Sequence, residues 1–329
     1  MSENCDNYPM IWGLPSMRAF QSIVSPSIME FYNTLELNRD VSSRIEPSHY
    51  TFRGLLSVKY FYKEVNDDCT YENLKNGTVV MPDDCEEYFK HNYLIVPDEI
   101  PGFEYVCQKG DFEIYENKLF VPMGIAYDSY IPFEEAEKLS PEIRERSMMK
   151  NLVFESSENE ELYSGILEKT PSENCKTYSK EDYENFCIDK REKCASSFSF
   201  DDKGFNSEIT LDKPEMVLFS VPYSEGWIAE VNGQPAKIEK VFSGLMAVKA
   251  DKGDNTIIFR YETPGLKTGL IISGVGIVIL ALYLLICRKT KKDNDIYCHR
   301  HYYGYSSVSK IEAADEYCKS FIQKTNGGK

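Results

Sequence analysis

The stretch "GLIISGVGIVILALYLLICRKTKK", Gly269 to Lys292, decides how this chain is arranged. Its apolar part, residues 268–287, contains no charged residue. As a helix at about 1.5 Å per residue, this part is about 30 Å long, which matches the hydrocarbon core of a bilayer. A helix in the core of a soluble protein would show a polar face, and this one offers only Ser273, Tyr283 and small glycines. The sequence therefore predicts a transmembrane helix at 268–287.

The charges on either side of this helix predict its orientation. A single lysine, Lys267, precedes it, whereas a basic cluster follows it directly: Arg288, Lys289, Lys291 and Lys292. Because basic residues stay on the cytoplasmic side, we expect residues 1–267 to be extracellular and 288–329 to form a cytoplasmic tail at the plasma membrane.

The net charge agrees with this orientation and excludes one class of partner. Residues 1–267 carry 28 Lys and Arg against 48 Asp and Glu, a net charge of −20, whereas the rest carries 9 against 5, a net charge of +4. An acidic domain repels phosphates, so nucleic acid is not an expected partner.

The beginning of the chain raises the question of how residues 1–267 cross the membrane. The start, "MSENCDNYPMIWG", has no basic region followed by an apolar one, so it is not a secretory signal. Either the orientation is different, or the chain continues a longer protein whose earlier helices handle export.

The first part, residues 1–154, is predicted as an α+β domain. Ser25 is a plausible N-cap before Pro26, which suits the first position of a short helix. The run "GLLSVKYFYKE" at 54–64 has the period of a strand, and "FEYVCQKGDFEIYENK" predicts a hairpin that turns at Gly110. Another strand, "LFVPMGIAYDSYI", and a helical stretch near 132–151 follow.

The remaining extracellular part divides in two. Residues 155–194 are charged and predict a linker or a solvated insertion. Residues 195–264 contain seven short strand patterns separated by turn residues, with Asn232-Gly233 as a two-residue hairpin turn. This spacing predicts an all-β sandwich of the jelly-roll or immunoglobulin-like kind.

The segment "VLFSVPYSEGWIAEVNGQPAKIEKVFSGLMAVKADKGDNTIIFRYETPGLKTGLIISGVGI" resembles the C-terminal end of YfhO-like bacterial membrane proteins. In that family a strand and hairpin of the form PY-x-x-GW-x-A-x-V-(N/D)-G precede a Y-x-x-PG exit into the last helix. Upstream pieces resemble the family's large extracellular domain in the same order: "PMIWGLPSMRAFQSIVSPSIMEFY", "RDVSSR", "RGLLSVKYFY" and "FEIYENKLFVPMG". The likeness covers roughly residues 8–290.

The resemblance implies a function that this chain carries only in part. The family belongs to the GT-C superfamily of polytopic glycosyltransferases, which implies sugar transfer from a polyprenyl-phosphate carrier to an envelope polymer such as a teichoic acid. Family members begin with many transmembrane helices and carry their catalytic acids in the first outer loop. This chain shows one helix, which corresponds to the last, so no catalytic residue is carried over.

Two functions are therefore expected from the sequence. The first is the non-catalytic extracellular portion and C-terminal anchor of such an enzyme, with the lipid bilayer, a missing N-terminal multi-spanning portion and an envelope glycopolymer as partners. The alternative is a free-standing single-pass surface protein with a glycan-binding or adhesion sandwich. No hydrolase motif and no cofactor motif occurs in the sequence.

Aromatic and arginine side chains are the candidate ligand contacts. Tyr223 and Trp227 of the sandwich either stack on a sugar or pack in the core, and the alternation of Trp227 with Ala229 and Val231 favours the core. In the first domain, arginines suit carboxylate or phosphate, with surface ion pairs as the alternative. These candidates are Trp12, Arg18, Arg39, Arg44 and Arg53.

Cysteines and acidic pairs give no metal or disulfide framework by themselves. Seven cysteines precede the helix, so they do not all pair with one another; Cys69 with Cys85, and Cys187 with Cys194, either bridge or stay free. The Cys and His residues of the tail lack zinc spacing. Acidic pairs such as Asp201-Asp202 lack a calcium loop, so no metal site is predicted.

Overall fold

A computed structural model describes residues 8–17, 20–37, 39, 45, 48–64 and 100–303, except for the side chains of 8, 9, 64 and 293–303. The chain divides into two compact units, Met1–Glu262 and Thr263–Lys329. Cys69 and Cys85, for which a bridge and free thiols are both open, lie outside the described side chains, as do Cys298, Cys318, His299 and His301 of the tail.

Short helices and strands make up the described part of the first unit, and the strands pair antiparallel except for the parallel pair β5 and β6. The helices are α1 Tyr8–Ile11, α2 Pro26–Thr34, α3 Tyr50–Leu55, α4 Phe133–Ala136, α5 Pro141–Lys150, α6 Ser157–Tyr163, α7 Ser172–Cys175 and α8 Lys180–Glu192. The strands outside the sandwich region are β1 Tyr60–Glu64, β2 Phe103–Lys109, β3 Phe112–Asn117, β4 Ile125–Tyr127, β5 Ser129–Tyr130 and β6 Glu168–Lys169.

The sandwich region contains the seven predicted strands and one short additional strand. They are β7 Ser197–Phe200, β8 Gly204–Leu211, β9 Glu215–Pro222, β10 Trp227–Val231, β11 Gln234–Ala236, β12 Ile238–Val241, β13 Leu245–Ala250 and β14 Gly253–Tyr261. The predicted hairpin turn is confirmed, because Asn232 and Gly233 have φ of 53° and 76° between the paired strands β10 and β11.

Two antiparallel sheets face each other in this region. One has the order β11-β10-β14-β8-β7 and the other β12-β13-β9-β4. Alternate side chains of β8 point inward, and Phe205 and Ile209 pack with Phe219 of β9 and Phe259 of β14. An apolar layer between two sheets is what the period-two pattern predicts, so the sandwich is confirmed.

The four-stranded sheet is covered on both faces, which the sandwich alone would not require. Its other face places Leu218 and Ala247 in a second apolar core, together with Phe31 of α2 and Met149 of α5. Strands buried on both faces read as continuous apolar runs, and "MVLF" at 216–219 in β9 is such a run. The first unit is therefore an α+β body in which helices cover the outer side of a sandwich.

Strand β4 joins the first predicted domain to the sandwich. Ile125 and Tyr127 pair with Leu218 and Met216 of β9. The predicted segments 1–154 and 195–264 thus contribute to one sheet and lie in one compact unit.

The charged segment 155–194 is folded, so the linker alternative is corrected. Ser179 and Asp182 form a reciprocal capping box at the start of α8. From there Tyr183, Cys187 and Lys190 recur at helical spacing and are buried. Only three of the thirteen residues of this helix are buried, and most of the others are polar or charged. The composition of the segment therefore resembles that of a linker although the segment is folded.

A smaller sheet of order β1-β3-β2 carries the predicted hairpin, whose turn at Gly110 is confirmed. The run predicted as a strand at 54–64 begins as the end of α3 and becomes a strand only at Tyr60. The helical stretch near 132–151 is confirmed as α4 and α5.

The second unit contains one long helix, α9 Leu266–Tyr303. Its part Leu266–Lys292 is long and apolar enough to cross a membrane, and the most apolar stretch of this part is not buried by protein. A soluble core helix would be covered, so this exposure favours lipid as its surroundings. The basic residues Arg288, Lys289, Lys291 and Lys292 lie exposed on the same helix.

Candidate functional site

A groove of about 930 Å³ lies in the first unit between α2, β1 and one end of the sandwich. A groove of this volume suits a ligand of drug size or a segment of a polymer. Its walls are mostly apolar and aromatic, formed by Phe31, Tyr60, Tyr62, Phe120, Met123, Phe198, Phe200, Phe205, Trp227 and Tyr261.

Ser57 lines this groove from a strained backbone position. It follows the C-cap of α3, where the N–H of Ser57 bonds to the Gly54 carbonyl and the N–H of Val58 to the Arg53 carbonyl. This is a Schellman motif, whose left-handed residue is usually glycine, and Ser57 occupies it with φ of 54°. Its Oγ is buried without a hydrogen-bond partner among the residues that the structure describes. Strain and an unsatisfied hydroxyl together are typical of a functional position.

Three cationic side chains line the same groove, Arg39, Lys59 and Lys203, and two of them lie against aromatic rings. Arg39 is 7% exposed, and its guanidinium lies 5.8 Å from the centre of the Tyr32 ring. The Nζ of Lys59 lies 5.2 Å from the ring centre of Tyr60 and 5.6 Å from that of Phe120. A cation over an aromatic face is attracted by the ring, and the stem of its side chain covers apolar surface. The groove thus offers positive charge in an otherwise acidic unit.

Aromatic rings form one end of the groove. Trp227 packs edge-to-face on Phe205 and Tyr261, with ring centres 5.6 and 5.2 Å apart. Partial burial raises the pKa of Tyr62 above its ordinary value. Trp12 contacts this groove through Tyr62, at 5.8 Å between ring centres.

Acidic residues also lie along the groove, at the turn after β7. The Asp201 carboxylate accepts hydrogen bonds from the N–H groups of Lys203 and Gly204, at 2.8 and 2.9 Å. These bonds hold the pKa of Asp201 below its ordinary value. The carboxylate therefore serves the turn, and Arg260 lies 3.8 Å away.

The groove brings together some of the predicted ligand contacts and leaves others apart. Arg39 and Trp227 line it, and Trp12 touches its wall. Trp227 packs on the sandwich core, as its alternation with Ala229 and Val231 favours, and it also lines the groove, while stacking on a sugar stays a prediction.

Two other predicted contacts serve the fold. Arg53 is 2% exposed and donates to the backbone carbonyls of Ile45 and His49. Tyr223 is not among the lining residues, and it packs against the sandwich core. Arg18 and Arg44 lie outside the described residues.

Cys187 of α8 and Cys194, two residues after the end of this helix, decide between a disulfide bridge and free thiols. Of the two alternatives for Cys187 and Cys194, the bridge is wrong and the unpaired thiols are confirmed, because both cysteines are free. Cys187 is fully buried on the inner face of the helix, where burial raises the pKa of its thiol to about 12. Within the described ranges, no cluster of three or more His, Cys, Asp or Glu side chains is arranged to hold a metal ion.

Sequence patterns do not single out Ser57, Lys59, Tyr60 or Tyr62 as groove residues. A serine in a left-handed conformation has no sequence signature, since glycine is the usual residue there. The period-two pattern of 58–62 predicts that Tyr60 and Tyr62 lie on the same face of a strand. It does not predict which other parts of the chain lie opposite these two tyrosines.

Comparisons with known proteins agree with the resemblance in the sequence. The family described as "Bacterial membrane protein YfhO" matches residues 1–207 and 196–273. "Uncharacterized protein YfhO" of Bacillus subtilis (strain 168) is 36% identical over 74 residues, which are 22% of this chain and 9% of that protein's length. No solved structure matches significantly. With a match that covers most of its length and an apolar helix at the end of the matched region, the chain belongs to the YfhO family of bacterial membrane proteins.

Proposed function

We propose that the chain is the non-catalytic extracellular portion and C-terminal anchor of a membrane glycosyltransferase. The enzyme transfers a sugar from a polyprenyl-phosphate carrier to a cell-envelope polymer such as a teichoic acid. In this proposal residues 1–267 face the exterior, and a multi-spanning membrane portion supplies the catalytic groups.

The groove is the observation that carries the proposed role of the first unit. Teichoic-acid-like polymers join sugar rings and hydroxyl groups to phosphates. The groove offers matching contacts in the aromatic face of Trp227 and the cations Arg39 and Lys59, and the Ser57 hydroxyl is buried in its wall. Sugar faces pack on aromatic rings, and phosphate suits an arginine fork. We infer that this groove holds a segment of the acceptor polymer.

A glycine variant tests the role of Ser57 without weakening the fold. Ser57→Gly removes the hydroxyl and relieves the strain of the positive φ, so we expect the protein to gain stability while the wall of the groove loses a polar group. We expect a lower sugar content of envelope polymers, measured by mass spectrometry in cells that carry Ser57→Gly in the full-length gene.

Ser243→Gly is the matched control. Ser243 also has a positive φ, 59°, but it is not among the groove-lining residues. We expect this variant to leave the sugar content unchanged. Equal sugar content in both variants would contradict a groove that contacts the acceptor.

The alternative function is a free-standing surface protein that binds glycans through its sandwich. Trp227 and Tyr261 favour it, because both rings border the groove. Deleting the gene separates the two functions. Loss of sugar from envelope polymers supports the glycosyltransferase, whereas unchanged polymers combined with glycan binding by the full chain in nanodiscs support the alternative.

A further inference from the structure

Exposed apolar side chains surround the mouth of the groove. We call this set the aromatic rim; its members are Trp12, Leu14, Tyr60, Phe200 and Tyr261. They are 41%, 44%, 38%, 61% and 42% exposed. Four of them line the groove, and Trp12 packs on Tyr62 and Phe112 beside it. Single exposed apolar residues are ordinary, but several of them gathered along one groove indicate an interaction surface.

The composition of the rim indicates what it contacts. Tyrosine and tryptophan are enriched where proteins meet the boundary between lipid headgroups and acyl chains. Lys59 and Lys203 stand beside these rings, and long basic side chains place their charge among headgroups while their stems cover apolar surface. Asp201 lies there too, with its carboxylate engaged by the turn N–H groups.

The rim lies close in sequence to the apolar helix α9, which is the part of the chain that contacts a bilayer. Tyr261 belongs to the rim and is the last residue of β14. Only residues 262–265 separate it from Leu266, the first residue of the apolar helix α9. A lipid surface is therefore the partner that we favour, because the apolar helix of the same chain already brings it within a few residues of the rim.

We propose that the aromatic rim rests on the surface of the membrane that α9 crosses, so that the groove opens onto the lipid. This docking goes beyond the proposed function, since it concerns how the first unit is held and not which polymer it contacts.

The two tryptophans of the chain provide a direct test. Trp227→Phe leaves Trp12 as the one reporter. The full chain is reconstituted into phosphatidylcholine vesicles with ordinary or brominated acyl chains, and bromine quenches nearby indole fluorescence. We expect about a twofold loss of Trp12 fluorescence, because interfacial side chains enter the headgroup–acyl boundary by about 5–10 Å.

Two controls separate docking from general proximity to vesicles. Ile188 on α8 is exposed but lies outside the rim. With Trp12→Phe and Trp227→Phe, the tryptophan introduced by Ile188→Trp should not be quenched. Phe200→Asp should reduce the quenching of Trp12, whereas Leu162→Asp, at an off-rim residue that is also 61% exposed, should not.

Three outcomes would overturn the proposal. The first is quenching of Trp12 no greater than that of the reporter at position 188. The second is equal effects of Phe200→Asp and Leu162→Asp. The third is protection of Trp12 that appears only at high protein-to-lipid ratio, which would assign the rim to a second copy of the chain. Each readout is independent of sugar transfer, so failure here leaves the proposed function standing.

Discussion

The rings of Trp227 and Tyr261 pack edge-to-face, with centres 5.2 Å apart and planes at 70°. They are register partners across β10 and β14. Trp227 also packs on Phe205 and Phe259 of the sandwich core. This contact therefore joins the core, the groove and the last strand before the apolar helix.

Ser57 and Ser243 both have a positive φ, so we expect their replacement by glycine to stabilise the fold. Ser57→Gly and Ser243→Gly should each raise the free energy of unfolding by about 0.5–1 kcal/mol, since glycine adopts positive φ without steric cost. Urea unfolding followed by tryptophan fluorescence measures the change. A loss of stability in Ser57→Gly would show that the hydroxyl has a structural partner.

We expect the single substitution Glu145→Gln to lower the free energy of unfolding, because the Glu145 carboxylate has several hydrogen-bond partners. Its carboxylate lies 2.7 Å from Nδ1 of His49 and accepts the N–H of Phe52 at 2.9 Å and the hydroxyl of Thr51. A carboxylate of α5 thus caps the start of α3. Glu145→Gln replaces an acceptor oxygen by a donor and should cost about 1–3 kcal/mol of unfolding free energy.

The control for that variant lies on the same helix. Glu142→Gln alters a side chain that is 73% exposed and pairs with Arg146 four residues on. Its unfolding free energy should change by at most about 0.5 kcal/mol. Equal losses from Glu142→Gln and Glu145→Gln would contradict the capping role.

Gly244 predicts a steric effect where α2 meets the β12–β13 hairpin. A Cβ at this position would lie 2.1 Å from the Ser27 carbonyl oxygen and 2.7 Å from Cβ of Phe31. Gly244→Ala should therefore lower the thermal unfolding midpoint by several degrees, because helix and hairpin must separate. Gly165→Ala, with open space around it, should not. A tolerated Gly244→Ala would contradict this packing.

Lys190 predicts a pH dependence of stability. Burial lowers the pKa of its ammonium group to about 7, although Asp128 opposes the shift. Its Nζ donates to the Ala126 carbonyl at 2.6 Å and lies 3.9 Å from the centre of the Tyr127 ring. An unfolded chain keeps the ordinary value of about 10.4. Above about pH 7 the unfolded state therefore binds more protons, and stability rises with pH until about pH 10.

Removing the amine should remove this slope. Between pH 7 and 9 the wild-type chain should gain on the order of 2 kcal/mol of unfolding free energy relative to Lys190→Met. Lys193→Met, at an exposed position, should keep the wild-type slope. Parallel pH profiles of the wild type and Lys190→Met would show that Lys190 does not cause the dependence.

Local patterns account for most of the fold. Alternation predicts the strands of the sandwich, and Asn232-Gly233 predicts their tightest turn, because each depends on neighbours in sequence. The role of β4 and the packing of α8 depend on partners far away, such as Leu218 for Ile125. The same holds for the groove. Arg39 and Trp227 can be chosen as candidate ligand contacts from their residue types alone. Ser57 can be recognised only from the three-dimensional structure at the end of α3.

The apolar helix predicts sensitivity to buried charge. Ile277→Arg with Leu280→Arg places two cations near the middle of Leu266–Lys292, at about 2.5–3.5 kcal/mol each. We expect the double variant to be extracted from membranes by alkaline carbonate, whereas Ile277→Leu with Leu280→Ile remains bound. Equal extraction of both would argue against a lipid environment.

Cysteine labelling tests the central claim, that α9 spans the membrane with the folded unit outside. Cys107 is an exposed free thiol on β2, and Cys298 follows the basic cluster in sequence. Variants that keep only one of these cysteines are treated in intact cells with a membrane-impermeant maleimide. We expect Cys107 to react at once and Cys298 to react only after the membrane is opened. Reaction of Cys298 in intact cells while Cys107 stays protected would contradict the claim.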